Sequence, residues 1–378
     1  MNFQLSEEQS LLRDSVERTF ARIYGFEARG RILGSAEGWS REVWVQMAEL
    51  GLLGLPFAVD DGGFEGGPVE TMIVMEAIGR ALVVEPFLPC IVLAGTVLRA
   101  AAPALRAELV PQVASGALTL AFAHGEPQAR WDRADVATSA RRVPGGYRLR
   151  GRKSLVIAGG IASRLIVSAR LDGARTDPAG LALFLLDPAA AGVTRAPFRT
   201  QDGRVAADVL LDDVFVADDH LLCAPGGAYA LIATASDAAV AALCAEAVGA
   251  MDAALALTVD YLKTRTQFGV AIGTFQALQH RAADMFVALE QARSMALLAT
   301  MALEEDDARE RAAALSAAKV QIGRSGRFIG QQAVQLHGGI GMTMEYKVGH
   351  LFKRLTMIDK EFGDAEHHLA RLADALAA

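Results

Sequence analysis

Cysteine is scarce in this 378-residue chain: Cys90, Cys223 and Cys244 lie far apart, with no CxxC and no metal-ligand spacing. That excludes a disulfide framework and a thiolate metal centre, and it leaves free buried thiols in a reducing compartment as the expectation. Basic runs are equally scarce. The net charge is −7, and the densest basic stretch is Arg150, Arg152 and Lys153. The chain therefore lacks the Lys/Arg-rich face that nucleic acid requires. Hydrophobic runs stop short of membrane-spanning length, Ile91–Leu98 at Arg99 and Ala238–Ala245 at Glu246. The opening Met1-Asn2-Phe3-Gln4-Leu5 has neither the basic nor the apolar part of a secretion signal, so the expected location is the cytoplasm.

Apolar residues are plentiful: 52% of the chain is hydrophobic, against 21% charged, with a mean hydropathy of +0.26. A chain of this length has ample core volume, and the apolar surplus points to subunit interfaces. The periodicity changes twice along the chain. Residues 1–115 read as a helical domain. Ser6 with Gln9 makes a capping box before Leu12, Val16 and Phe20. A second helix begins near Ser40 and stops at Gly51, Asp60–Gly63 is a loop, and Val69–Leu82 and Cys90–Ala101 are helical. Residues 116–225 read as a β domain, with Tyr147–Arg150, Arg164–Ala169, Leu181–Leu186 and Ala206–Val216 as strands bounded by Gly, Pro and Asp. Residues 226–378 return to helices, predicted near Leu231–Lys263, from Phe275, over Ala308–Leu336 and beyond Glu345.

Two segments carry the candidate chemistry. In the first, Tyr261-Leu262-Lys263-Thr264-Arg265-Thr266-Gln267-Phe268-Gly269 ends a helix, and Gln276 opens the next. Arg265 can fork onto a diphosphate, a charge-assisted contact worth roughly 1.5–3 kcal/mol. Phe268 offers a face to an adenine or ribose. Periodicity alone fits a helix–turn–helix connection with a solvated arginine equally well. In the second, Gln335-Leu336-His337-Gly338-Gly339-Ile340-Gly341 places paired glycines after a helix, where exposed N–H groups suit phosphate. A glycine pair there also fits a simple helix cap, and His337 reads as structural.

Taken together, at this order and separation, the two segments resemble the acyl-CoA dehydrogenase family over the whole chain. The nearest type is the small subunit of pimeloyl-CoA dehydrogenase, through phrases such as Leu52-Leu53-Gly54-Leu55-Pro56, Gly67-Pro68-Val69-Glu70-Thr71 and Leu243-Cys244-Ala245-Glu246-Ala247-Val248-Gly249. The resemblance implies a mixed α and β fold: an N-terminal helical domain, a middle β-barrel and a C-terminal four-helix bundle. It implies FAD as cofactor, an acyl-CoA substrate and electron-transfer flavoprotein as acceptor. It also implies a homodimer, a homotetramer, or an α2β2 assembly with a large subunit. Arg265, Gln267, Phe268, Gln276, Gln335, Leu336, His337, Gly338 and Gly339 are then the residues that grip the adenosine diphosphate part of an FAD held mainly by a neighbouring subunit. The reaction needs a carboxylate to take the proton alpha to the thioester, while flavin N5 accepts hydride from the beta carbon.

The chain departs from the family where that carboxylate belongs. An ungapped count from Gly341 brings the glutamate of the Tyr-Glu-Gly-Thr segment onto Phe362, and the alternative position on the first C-terminal helix falls on Ala239. The nearest acids are Glu361 and Asp237. Asp237 matches a family aspartate placed to contact the pantetheine of CoA, so substrate binding for Asp237 and surface charge for Glu361 stand beside a role as base. The Thr-Glu-Pro-Gly-x-Gly-Ser-Asp stretch is replaced by a run through Ala121-Phe122-Ala123-His124-Gly125-Glu126-Pro127-Gln128-Ala129-Arg130. Trp-Ile-Thr-Asn becomes Leu155-Val156-Ile157-Ala158, losing the hydroxyl that bonds the flavin edge.

The leading expectation is an FAD-dependent acyl-CoA dehydrogenase. Its alternative is a half-site subunit of an α2β2 enzyme that lends the ADP-binding half to a catalytic partner. A non-catalytic assembly subunit and a flavin oxygenase or nitroalkane oxidase on the same fold stay open. Ala233, Ala235, Ala238 and Ala239 leave room for a wide acyl group.

Overall fold

The computed structural model describes residues 4–377; residues 1–3, the head of the stretch read for a secretion signal, and residue 378 lie outside the described residues. The chain opens with α1 (Glu7–Ile23). Its Ser6 cap accepts from the Gln9 N–H at 3.1 Å, and Gln9 Oε1 accepts the Ser6 N–H at 2.9 Å, so the capping box forms as predicted. Next come α2 (Phe26–Gly34), α3 (Arg41–Glu49) and α4 (Pro68–Ala81). The predicted helix over Cys90–Ala101 exists, but Leu88–Ala94 is wound as a wide π-helix that continues into α5 (Gly95–Arg99), before α6 (Pro103–Ala114).

Eight strands follow: β1 (Leu120–Ala123), β2 (Ser139–Val143), β3 (Gly146–Ile157), β4 (Arg164–Arg170), β5 (Leu181–Leu186), β6 (Val193–Arg199), β7 (Val205–Ala217) and β8 (Leu221–Cys223). The remainder is α7 (Ala228–Thr264), the two-residue strands β9 (Thr266–Gln267) and β10 (Val270–Ala271), then α8 (Gln276–Ala302), α9 (Ala308–His337), α10 (Lys347–Lys360) and α11 (Ala365–Ala377).

Contacts divide the chain into two compact units. One comprises residues 32–67 and 84–239 and is built on the sheet, ordered β6-β7-β3-β2-β4-β5-β8, with β1 parallel to β4. Strand β5 is buried at every residue, and Leu149, Leu165, Val167, Phe184, Val209 and Val214 join one core. The outward residues of β3 and β7 form a ladder of exposed ion pairs, Arg150 to Asp212 at 3.0 Å and Arg152 to Asp208 at 2.6 Å. This is the period-2 alternation of a half-solvated sheet.

The other unit comprises residues 1–31, 68–83 and 240–378, in which α9 packs against α8, α10 and α11. Here α4 and the later part of α7 touch backbone to backbone. A Cβ added at Gly79 would lie 1.9 Å from the Glu246 carbonyl oxygen, and one at Gly249 would lie 1.8 Å from that of Glu76. Only glycine permits that crossing. Helix α8 buries Met285, Leu289 and Ala292 along one side, whereas Phe275 at its cap is exposed.

Helix α7 is long and apolar enough to cross a membrane by length and composition alone, but 78% of its apolar window is buried inside the protein, as in a core helix. The charges at Asp237 and Glu246 within it are each neutralised by an arginine, described below.

Candidate functional site

The segment after α7 is a β-hairpin. Thr266–Gln267 pairs antiparallel with Val270–Ala271, and the Ile272 N–H closes its base on the Arg265 carbonyl at 2.8 Å. The two turn residues, Phe268 and Gly269, have φ of 54° and 82°, the geometry of a type I′ turn. Glycine accepts that conformation freely; a phenylalanine there is an outlier, and its side chain is 91% exposed. The strain holds an aromatic face out in solvent, edge-on to Phe275 with ring centroids 6.1 Å apart. Arg265, Gln267 and Gln276 are exposed as well, and among the described residues the Arg265 guanidinium has no ion pair. An exposed cation and an unsupported aromatic ring on one rigid turn suit an anionic, aromatic ligand.

The glycine loop follows the same logic. Helix α9 ends on Gly338, whose φ is 63°, and a Cβ added at Gly338 or Gly339 would meet no atom within 4 Å. Gly338 is required by its own backbone conformation, whereas neither packing nor a positive φ requires Gly339, where the main chain is open to approach from outside. Gln335 is exposed on the last turn, whereas Leu336 and His337 are buried and can offer only backbone. The His337 ring lies 4.6 Å from Tyr261 and 5.0 Å from Tyr346 between centroids, with Nδ1 donating to the Ala333 carbonyl. Burial lowers its pKa, so it is a neutral structural side chain that ties this loop to α7. The ADP-binding residues expected from the sequence thus divide into exposed side chains (Arg265, Gln267, Phe268, Gln276, Gln335) and main chain (Leu336–Gly339). These residues fit a diphosphate and an adenine.

The two candidate carboxylates have a different environment. In the sheet-bearing unit, Asp237 Oδ1 accepts from Arg133 Nη2 at 3.0 Å, and Arg133 Nη1 reaches the Ala233 carbonyl at 3.5 Å. Both side chains are largely buried. In the other unit, Glu361 accepts from Arg354 Nη1 at 2.5 Å, while the same guanidinium grips both oxygens of Glu246 at 2.7 and 2.8 Å. Arg354 is buried, and so is Glu246. Each of these two carboxylates is thus bonded to an arginine, Asp237 through Oδ1 and Glu361 through Oε1, and Arg354 is shared between Glu361 and Glu246. The expected surface charge of Glu361 is therefore a largely buried ion-pair member.

Phe362, at the family's base position, has φ of 58°. Its loop is fixed from behind. The buried Lys319 ammonium donates to the carbonyls of Ile358, Asp359 and Gly363, and His368 Nε2 donates to that of Phe362.

On the sheet, Lys153 is wholly buried and donates to Glu126 Oε1 at 2.7 Å, Ser168 Oγ at 3.0 Å and the His124 carbonyl at 3.2 Å. Burial depresses Lys153 to about 8. Burial pushes Glu126 up, but Lys153 and hydrogen bonds more than reverse this and leave it at about 2. Both are charged at neutral pH. With all three ammonium donors in use, Ser168 accepts from Lys153 and directs its own hydrogen to His124 Nδ1, 2.8 Å away. Burial, with Lys153 nearby, holds His124 neutral, at about 3. The segment that replaces Trp-Ile-Thr-Asn carries Leu155 and Ala158 at φ of 52° and 60°, with Leu155 half exposed and its N–H bound by Asp208. No hydroxyl stands at Ile157 and no aromatic ring at Leu155, so these residues do not fit the flavin ring as the family holds it.

Sequence reasoning missed Arg133 and Arg354. Arg133 lies 104 residues from Asp237, and Arg354 lies 108 from Glu246, so no local pattern joins them. Lys153 with Glu126 was concealed in the apparent basic run, where only strand alternation separates it from the exposed Arg150 and Arg152. Among the described residues, no group of three or more His, Cys, Asp or Glu side chains is placed to hold a metal ion.

Comparison with known proteins gives these sites a family. The acyl-CoA dehydrogenase N-terminal, middle and C-terminal domain models match residues 6–117, 121–214 and 229–377. Acyl-CoA dehydrogenase FadE12 of Mycobacterium tuberculosis is 31% identical over 353 residues, covering 92% of this chain and 90% of its own. The solved Tcur3481-Tcur3483 steroid ACAD G363A variant is 28% identical, with a TM-score of 0.87 and 98% of each chain covered. The FAD complex of PigA is 25% identical, with a TM-score of 0.89, covering 100% of this chain and 99% of that one. The chain belongs to the acyl-CoA dehydrogenase family, FAD-binding oxidoreductases that act on CH–CH bonds.

Proposed function

We propose that this chain is the half-site subunit of a heteromeric acyl-CoA dehydrogenase, lending the ADP-binding half of the FAD site to a catalytic partner. One observation carries the reading: each acid near a base position is claimed by an arginine, Asp237 by Arg133 and Glu361 by Arg354, while Arg265 and Phe268 stand open. In the assembly Arg265 holds the diphosphate and Phe268 lies against the adenine. Gln276 and Gln335 bond the ribose-phosphate edge, and the main chain of Leu336–Gly339 faces phosphate oxygens. The flavin itself supplies hydride acceptance. Asp237, where a partner frees it, is the acceptor for the pantetheine amides. A two-component name on a relative of this length, the Tcur3481-Tcur3483 steroid enzyme, supports the same architecture.

Finer features belong to the same proposal. They are a dicarboxylic or ring-bearing acyl group, the pimeloyl-CoA small-subunit type, electron-transfer flavoprotein as acceptor, cytoplasmic location, and domain limits at 115/116 and 225/226. The test is stoichiometry. Purified alone, the chain is expected to carry well under one FAD per polypeptide and to turn over no acyl-CoA, and co-expression with its partner restores both. Full flavin occupancy with acyl-CoA turnover in the lone chain would instead establish a self-sufficient dehydrogenase using Asp237 or Glu361.

A further inference from the structure

The run Gln128-Ala129-Arg130-Trp131-Asp132-Arg133 stands where the family carries Gly-x-Gly-Ser-Asp, and although Gln128, Arg130 and Asp132 are exposed, the chain that follows it is braced at several points. Arg130, at the second glycine position, keeps the left-handed backbone, with φ of 48°. The Glu126 carboxylate accepts the N–H groups of Ala137 and Thr138. Arg170 donates to the carbonyls of Ala134 and Val136, Asp132 caps the Ala134 N–H, and Arg175 pairs with Asp135. A loop fixed at so many points delivers its last arginine to one place. That place is the wall formed by the start of α7, where Arg133 bonds both the Asp237 carboxylate and the Ala233 carbonyl.

We infer that Arg133 is a latch closing the pantetheine subsite of this chain's own pocket. The inference rests on the half-site reading above and gives it a physical cause. The pantetheine arm of an acyl-CoA presents two secondary amides, whose N–H groups seek a carboxylate. Arg133 already donates to Oδ1 of that acceptor and reaches the neighbouring Ala233 carbonyl, so its guanidinium lies on the stretch of α7 where the amides would bind. A thioester can enter only when the ion pair opens. The apparent affinity is therefore the intrinsic affinity multiplied by the open fraction. Both partners are mostly buried, at 18% and 10% side-chain exposure, so opening leaves two poorly solvated charges and the closed form dominates.

The experiment is calorimetric titration of the lone, full-length chain with CoA and, separately, with pantetheine. The expected result is at least about tenfold tighter binding of both by Arg133→Ser than by wild type. Arg133→Ser combined with Asp237→Asn loses the gain, and guanidinium chloride at non-denaturing concentration suppresses it in Arg133→Ser by refilling the vacated position. Thermal unfolding checks that the variants are folded. Should Arg133→Ser not fold, Arg133→Lys, which cannot bridge Asp237 and Ala233 at once, is expected to show a smaller gain, about threefold. Binding by folded Arg133→Ser, or by Arg133→Lys in its place, no tighter than wild type overturns the latch. A pantetheine gain that survives Asp237→Asn overturns it too. These failures are separable from failure of the half-site reading, which shows as full FAD occupancy in the wild-type lone chain whatever Arg133 does.

Discussion

Arg265 and Arg133 are held in opposite chemical settings. Arg265 sits at the base of a short hairpin, without an ion pair among the described residues, and an exposed phenylalanine stands three residues on at the turn. Arg133 sits on a braced loop and is bonded to Asp237. Arg354 repeats the second pattern with Glu246 and Glu361. An exposed arginine without an acid is available to an anion from outside. An arginine bonded to the chain's own carboxylates is already engaged, and it holds those carboxylates in place. The contrast is between an exposed arginine and arginines paired within the chain.

The sharpest way to divide the two kinds of site is through stability. Lys153→Met leaves the Glu126 carboxylate buried without its cation and is expected to cost about 3–5 kcal/mol in urea unfolding. Arg265→Ala should do the reverse. Stability stays within about 0.5 kcal/mol. FAD retention by the partner complex, measured by equilibrium dialysis, weakens roughly 10- to 100-fold, the worth of one charge-assisted diphosphate contact.

A smaller effect tests the neutral histidines. His124 and His368 are lowered to about 3, and His337 and His350 are lowered too, in each case first by burial. Their folded-state pKa values lie below the unfolded value near 6.5, so the unfolded chain takes up protons first as the pH falls. The stability that His124 and His368 contribute is complete well above pH 6.5 and is lost as the pH falls through it, roughly 1–2 kcal/mol by pH 6 for the two together. Thermal unfolding across that range measures it. The smallest effect is expected at the exposed ladder. Arg150→Ala removes a pair with both side chains 70% exposed and should shift stability by no more than about 0.5 kcal/mol in the same assay.

The elements were legible because their signals are local. The Ser6–Gln9 box, the β5 run Leu181–Leu186 and the α9 span from Ala308 all follow from spacing within a few residues. The segments proposed to hold ADP were legible for the same reason, since Arg265 to Gln276 and Gln335 to Gly339 are each continuous in the sequence. What stayed hidden is long-range. Asp237 reads as a free acid until the fold brings Arg133 to it, and Glu361 reads as surface charge until Arg354 and Glu246 bury it. The wide π-helix at Leu88–Ala94 was also invisible, because its side-chain pattern is as apolar as an α-helix would be. So was the left-handed Phe268, since the sequence offers only Gly269 as a residue suited to that turn.

The central claim is that this chain contributes half of an FAD site and has no working pocket of its own. The most direct measurement is the flavin content of the lone chain after removal and re-addition of FAD, read as absorbance per polypeptide. The account predicts that the lone chain stays nearly colourless and regains flavin only together with a catalytic partner. One tightly bound FAD per polypeptide in the lone chain, bleached by an acyl-CoA, would contradict it.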